Sequence, residues 1–120
     1  MKRALFLLSF CSVILHSNAQ TKKVWIDTDI LTGKFKKDVD DALAIIMALR
    51  DTTIEIVGIS VVQNVDYSEK VTEKLLNWYA PTKTIPVYKG SNGKLQAGKW
   101  TDASKALVRA LENEELHILA

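Results

Sequence analysis

Five aspartates lie within fifteen consecutive positions near the start of this chain, and they constrain its fold more than any other feature. The first two follow a short apolar segment and the other three precede a second one, at Asp27, Asp29, Asp38, Asp40 and Asp41. Carboxylates a few ångströms apart repel one another, so an unneutralised cluster would oppose folding at neutral pH. We therefore expect this segment to bind a cation.

The atoms that the cluster offers predict which cation binds. The segment 27–41 contains neither histidine nor cysteine, and carboxylate, carbonyl and water oxygens suit Ca²⁺, with Mg²⁺ possible at lower coordination. Zinc is not expected, because its sites are built largely from nitrogen and sulfur ligands. A bound divalent ion can orient a water while a neighbouring carboxylate takes its proton, and the product of that chemistry is hydrolysis.

Short segments rich in β-branched residues alternate with longer segments of helical periodicity. Strands are predicted at 24–26, 54–62, 85–88 and 116–120, and helices at 42–49, 67–80 and 102–111. The alternation predicts one α/β domain over residues 20–120, with a doubly wound, mostly parallel sheet. Ligands of such sheets bind beyond the carboxyl ends of the strands, which is where Asp27, Asp29 and Asn64 fall. Trp25 and Trp78 are expected in the core, and His117 is expected to be a strand residue without a catalytic role.

The amino terminus has the three parts of a secretory signal: two basic residues, the apolar segment 4–15, and small residues ending at Ala19. We expect cleavage after Ala19, export to the periplasm or the medium, and no membrane attachment afterwards. A lipoprotein anchor at Cys11 is the less favoured alternative, because Phe10 precedes it where a small residue is required.

The charge balance argues against a nucleic-acid partner. The chain has 16 lysines and arginines against 14 acids, and the two basic residues at positions 2 and 3 account for the excess. A nucleic-acid interface needs a concentrated basic face. The one local group, Lys34, Lys36 and Lys37, is expected to offset the neighbouring carboxylates. Cys11 is the only cysteine, so residues 20–120 form neither disulfides nor thiolate metal sites.

The segments 27–29 and 40–42, placed after the first strand, resemble the amino-terminal signature of the nucleoside hydrolases. The resemblance continues along the chain in the right order. The segment 59–64 is similar to the family's second strand and its asparagine, 85–90 to the third strand, and 116–120 to the strand that follows. Essentially the whole chain after the leader is covered.

The resemblance implies calcium-dependent hydrolysis of the N-glycosidic bond of ribonucleosides or of a related ribosyl compound. In the family, Ca²⁺ holds the nucleophilic water and the ribose hydroxyls, and an aspartate acts as base against an oxocarbenium-like transition state. Carried over by position, Asp29 is expected to be the base and a calcium ligand. Asp41 and Asp27 are expected as further metal ligands, with Asp27 also ordering the cluster. Asp40 is expected to accept from a ribose hydroxyl, and Asn64 to lie beside the water and the sugar.

Two departures from the family pattern keep alternatives open. Residues 30–39 replace a shorter turn, so the substrate is expected to differ. Family members also continue beyond the equivalent of Ala120, into further calcium and leaving-group residues, so we expect this chain to be an amino-terminal, apparently truncated portion. A catalytically inactive fragment is therefore one alternative, and an uncovered sheet edge makes a homo-oligomer possible. A haloacid-dehalogenase-like, Mg²⁺-dependent phosphatase is the other alternative, because that class also has a DxD sequence after its first strand.

Overall fold

The computed structural model describes residues 21–34, 37, 39–92 and 98–120. The expected secretory leader and its cleavage position therefore lie outside the described residues. Strands and helices alternate strictly along the chain, as predicted: β1 (Lys22–Thr28), α1 (Asp40–Arg50), β2 (Ile54–Val61), α2 (Val65–Tyr79), β3 (Val87–Lys89), α3 (Asp102–Asn113) and β4 (His117–Leu119).

The four strands that the structure describes form one sheet in the order β3-β2-β1-β4, and every neighbouring pair is parallel. The chain crosses the sheet in one direction from β1 to β3 and then reverses to reach β4. Because parallel crossovers are right-handed, this reversal places α3 on the face opposite α1 and α2. The predicted doubly wound α/β fold is confirmed, with a sheet that is wholly rather than mostly parallel.

The larger core lies between the sheet and the helices α1 and α2. Val24 and Ile26 of β1 and Ile59 and Val61 of β2 supply its floor. The helices cover this floor with apolar side chains at helical spacing, Ala42, Ile45, Leu49, Leu75, Leu76 and Ala80. Alternation along β1 therefore places Val24, Ile26 and Thr28 on this face and Trp25 and Asp27 on the other.

Trp25 organises the other face of the sheet. Its side chain is buried, its indole stacks on Tyr88 at a centroid separation of 5.5 Å, and its Nε1 donates to Ser60 Oγ at 3.0 Å. The ring lies directly over Gly58, where an added Cβ would meet Trp25 Cζ3 at 2.5 Å. The register between β1 and β2 shifts between Val24 and Trp25, and this shift pairs Trp25 with Gly58.

The buried face of α2 differs from the predicted one. Trp78, expected in the core, is 64% exposed and packs under the ammonium of Lys74. The interior instead takes two polar residues, Ser68 and Thr72, which are fully buried. Their hydroxyls are satisfied, because Ser68 Oγ donates to Ile30 O at 2.8 Å and Thr72 Oγ1 to Ser68 O at 2.8 Å. The buried face of α2 therefore combines these two hydrogen-bonded hydroxyls with the apolar Leu75 and Leu76.

The strand β4 lies at the edge of the sheet beside β1, and all of its residues are exposed. His117 pairs with Val24 as an ordinary strand residue, in agreement with its predicted placement. Among the residues that the structure describes, no helix combines the length and apolar character needed to cross a bilayer.

Candidate active site at the carboxyl edge of the sheet

Three of the predicted site residues line one small cavity at the carboxyl end of β1. Asp29 follows the strand directly, and Asp40 and Asp41 form the first turn of α1. Their cavity has a volume of about 170 Å³ and also includes Lys37 and Leu31. Folding thus brings together carboxylates that are eleven and twelve positions apart in sequence. Lys37 supplies a positive charge to the same cavity, as expected for a residue that offsets the carboxylates.

Asp41 connects the first turn of α1 to the end of β1. Its Oδ2 accepts a hydrogen bond from Thr28 Oγ1 at 2.5 Å and another from the backbone N–H of Asp29 at 3.1 Å. Val39, at the N-cap position, makes no side-chain cap hydrogen bond. The acids Asp40 and Asp41 in the first turn interact favourably with the positive end of the helix dipole. These contacts fix the helix start against the strand tip and set the spacing between Asp29 and Asp41.

The carboxylate of Asp29 is held by a residue that the sequence did not identify. Gln63 Nε2 donates to Asp29 Oδ2 at 2.9 Å. In the sequence, Gln63 stood out only as a member of the segment 59–64. Its backbone is left-handed, with φ of 53°, and no sequence pattern predicts that conformation for a glutamine. The contact could be found only once the two strand ends were placed side by side.

Asp27 is separated from Asp29 by the alternation of the strand. The strand β1 extends to Thr28, so Asp27 lies within it and not at its tip, and its carboxylate accepts a hydrogen bond from Ser60 Oγ on the Trp25 face. Asp27 does line a second cavity, of about 160 Å³, together with Asp41. Asp41 is therefore the residue common to the two cavities, and Asp27 adjoins the cluster without entering the cavity of Asp29 and Asp40.

Asn64 occupies the turn between β2 and α2. Its backbone is left-handed, with φ and ψ both 44°, and its carbonyl accepts from the N–H groups of Tyr67 at 2.8 Å and Ser68 at 3.0 Å. The side chain is exposed and makes no cap hydrogen bond. The carbonyl therefore begins α2, while the side chain is exposed and is not among those that line the cavity of Asp29, Asp40 and Asp41.

The loop after Asp29 is fastened to α2. Tyr67 OH donates to Thr32 O at 2.8 Å, Ser68 Oγ donates to Ile30 O at 2.8 Å, and Lys34 Nζ lies 4.4 Å from the centre of the Tyr67 ring. Lys34 thus packs on an aromatic ring, whereas the sequence predicted that it would offset the carboxylates; Lys36 lies outside the described residues. These contacts hold the backbone on the carboxyl side of Asp29 in place.

The donor atoms of the cluster suit a hard cation, although they do not form a finished cage. Asp29, Asp40 and Asp41 offer carboxylate oxygens alone, the ligands that Ca²⁺ and Mg²⁺ prefer. Within the described ranges, no group of three or more histidine, cysteine, aspartate or glutamate side chains is arranged to hold a metal ion. Asp38, the fifth acid of the sequence cluster, lies outside those ranges.

Comparison with known families decides between the two enzyme classes that the sequence left open. The profile of the inosine-uridine preferring nucleoside hydrolases matches residues 24–117. The chain belongs to this nucleoside hydrolase family. A search of curated proteins found no individual protein that matches the chain.

Membership of the nucleoside hydrolase family confirms the resemblance seen in the sequence and agrees with the wholly parallel α/β sheet. The matched segment contains every predicted site residue from Asp27 to Asn64. The family assignment supports a hydrolase that acts on nucleosides, with a small-molecule nucleoside as its substrate. It also disfavours the haloacid-dehalogenase-like phosphatase.

Proposed function

We propose that this chain contributes metal-binding and base-bearing carboxylates to a site for calcium-dependent hydrolysis of the N-glycosidic bond of ribonucleosides. One observation carries the proposal: in a nucleoside hydrolase chain, Asp29, Asp40 and Asp41 line the same cavity at the carboxyl edge of the sheet. Ligands of parallel α/β sheets bind at this edge. The carboxylate oxygens that line the cavity and the match to the nucleoside hydrolase family support the proposal.

Asp29 is the proposed general base. It is the exposed carboxylate at the tip of β1, so a water and a sugar can reach it, and one of its oxygens is already engaged by Gln63. A base that is fixed in this way takes a proton from water without first having to reorient, which lowers the entropic part of the barrier. The neighbouring Asp40, exposed in the first turn of α1, is proposed to accept from a ribose hydroxyl.

Asp29, Asp41 and Asp27 are the proposed ligands of a calcium ion. A hard divalent cation, when bound, supplies electrostatic stabilisation and orients the attacking water. The chain's own contribution is to hold Asp29 beside Asp41, through the bonds from Thr28 Oγ1 and the Asp29 backbone N–H to Asp41, while Asp27 adjoins Asp41 in the second cavity. Asn64, with its exposed carboxamide in the turn after β2, is proposed to lie beside the water and the sugar.

The test is calorimetric titration of the purified chain with Ca²⁺, coupled to an assay of ribose release from inosine and uridine. Asp29→Asn removes the base while keeping the size of the side chain, and Glu112→Gln makes the same chemical change at an exposed position on α3. We expect calcium binding and ribose release from the wild type and from Glu112→Gln. In Asp29→Asn we expect release to fall by about 10²- to 10⁴-fold, with the far-UV circular dichroism unchanged.

Two other outcomes would contradict the proposal. Near-normal ribose release by Asp29→Asn would remove Asp29 from the role of base. A folded wild-type chain that neither binds Ca²⁺ nor releases ribose would support the inactive-fragment alternative for this chain.

We also propose that the chain is exported and is cleaved after Ala19. The proposal is supported by the charge and hydropathy pattern of residues 1–19. Expression in a bacterial host, followed by intact-mass measurement of the periplasmic and extracellular fractions, tests it. We expect a product beginning at Gln20, and an uncleaved chain retained in the cytoplasm would contradict the proposal.

A further inference from the structure

We propose that Gln63 is a positioning residue whose carboxamide fixes the carboxylate of Asp29 in its working orientation. The inference rests on the proposed function, because it assigns Gln63 a part in the same site. Its basis is the 2.9 Å hydrogen bond from Gln63 Nε2 to Asp29 Oδ2, which joins the ends of β2 and β1. No sequence motif singled out Gln63, and the family match by itself gives it no role.

Asp29 is held at two places by two different elements. Its backbone N–H donates to Asp41 Oδ2 on α1, and its side-chain Oδ2 accepts from Gln63 beyond β2. The first contact fixes where the residue lies, and the second fixes how its carboxylate is turned. With one lone pair of Oδ2 engaged by a neutral donor, Oδ1 keeps both of its lone pairs for a proton or a cation.

The contact contributes little to folding. Asp29 and Gln63 are both exposed, and an exposed hydrogen bond competes with water on equal terms. Gln63 nevertheless adopts a left-handed backbone, with φ of 53°, a conformation that disfavours residues carrying a Cβ. Backbone strain of this kind is found most often at functional sites. A residue selected for stability alone at this position would be glycine.

The surrounding structure enforces the strained conformation. The backbone N–H of Gln63 donates to Ser91 O after β3 at 3.0 Å. Its carbonyl oxygen lies 2.9 Å from the hydroxyl oxygen of the fully buried Ser68, whose single hydrogen it shares with Ile30 O. Contacts from the loop after β3 and from α2 therefore clamp the peptide groups on both sides of the residue. The clamp directs the side chain toward the end of β1, where the amide reaches Asp29.

Two variants of Gln63 separate positioning from structural support. Gln63→Gly removes the carboxamide and also relieves the left-handed strain, whereas Gln63→Leu removes the carboxamide and keeps the strain. Asn77→Ala removes an exposed carboxamide from the far half of α2 and serves as the control. All are compared with the wild type by thermal unfolding and by Ca²⁺ titration of the full chain.

If Gln63 positions Asp29, Gln63→Gly is expected to maintain or raise the melting temperature and to lower the affinity for Ca²⁺. We expect its melting temperature to equal or exceed that of the wild type, while its dissociation constant for Ca²⁺ rises by roughly 10-fold or more, as is usual when a residue that orients a metal ligand is lost. Gln63→Leu is expected to lose the same affinity, and Asn77→Ala to lose none. A fall in melting temperature with unchanged affinity in Gln63→Gly would overturn the proposal, because it would show a purely structural role.

A measurement without calcium distinguishes failure of this inference from failure of the proposed function. In nuclear magnetic resonance spectra of the metal-free chain, the side-chain amide signals of Gln63 are expected to shift on Asp29→Asn and to stay in place on Asn77→Ala. If the wild type binds no Ca²⁺, the proposed function fails and these signals alone decide the inference. Unchanged Gln63 signals in Asp29→Asn would overturn it whatever the calcium result.

Discussion

Replacing Gly58 by alanine is expected to destabilise the fold through a single steric conflict. The added Cβ would lie 2.5 Å from Trp25 Cζ3 and 2.8 Å from Cε3, where carbon atoms in contact normally stand about 3.5–4.0 Å apart. The indole has no room to retreat, because Trp25 is buried, stacked on Tyr88 and hydrogen-bonded to Ser60.

The size of the effect follows from two opposing contributions. Overpacking a core costs about 1–3 kcal/mol, and alanine regains about 0.4–1 kcal/mol by restricting the unfolded chain. We therefore expect a net loss of about 1–2 kcal/mol in the free energy of unfolding, and a melting temperature lower by roughly 5–15 °C. Urea unfolding and thermal melts followed by far-UV circular dichroism measure both quantities.

A double variant identifies the cause of the loss. In a Trp25→Leu background the ring is absent, so we expect Gly58→Ala to cost nothing measurable there, although Trp25→Leu itself is destabilising. If Gly58→Ala costs as much in the Trp25→Leu background as in the wild type, or if it leaves the wild type unaffected, the steric account of this face of the sheet is wrong.

Two further changes test other contacts of the fold. Thr101→Ala removes the half of the capping box in which Thr101 Oγ1 accepts from Ser104 N and leaves the bond from the backbone N–H of residue 101 to Ser104 Oγ, so the free energy of unfolding in urea should fall by about 1 kcal/mol. Arg109→Ala, at an exposed position in the middle of α3, is the comparison. The second change is Lys89→Met. Lys89 donates to Asp66 at 2.9 Å, which lowers the pKa of Asp66 from its ordinary 3.8, and Lys89 Nζ also lies 3.0 Å from Glu69 Oε2, so Lys89→Met removes both carboxylate contacts. A lowered carboxyl pKa stabilises the fold above the ordinary value, and that contribution is lost as the pH falls through the folded-state pKa. The melting-temperature gap between wild type and Lys89→Met should therefore be constant from about pH 5 to 9 and close in stronger acid, whereas a gap that widens in acid would contradict this assignment.

The order of strands and helices could be predicted from the sequence because the spacing of apolar residues and the residue composition change sharply from one segment to the next. The β-branched segment 54–62 became β2 (Ile54–Val61), and the alanine- and leucine-rich segment 42–49 became the interior of α1. The ends of the elements were less predictable. The strand β1 continues to Thr28 because its backbone still pairs with β2 there, and side-chain polarity does not reveal backbone pairing.

Burial on α2 shows where apolar character misleads. Trp78 is large and apolar but lies on the exposed side of the helix, while Ser68 and Thr72 are buried. The deciding partner of Ser68 is the carbonyl of Ile30, which is 38 residues away in sequence. A hydroxyl is acceptable in a core only when such an acceptor is available, and no local pattern shows that it is.

The candidate site was only partly predicted, because one of its contacts, like that of Ser68, joins residues that are far apart in sequence. Asp29, Asp40 and Asp41 were identified because acids crowded at one strand end are unusual, and they share a cavity as expected. The different orientation of Asp27 could have been inferred from strand alternation, which gives it the same face as Trp25. The contact from Gln63 could not, because it depends on a left-handed backbone that the sequence does not encode locally.

Calcium binding by the carboxylate cavity is the claim on which the functional account depends, and titration of the purified wild-type chain beside Asp29→Asn tests it most directly. The account predicts a saturable calcium heat with the wild type, accompanied by ribose release from a nucleoside, and loss of ribose release in the Asp29→Asn variant. Equal ribose release by the two proteins, or a folded wild-type chain that gives neither calcium heat nor ribose, would contradict it.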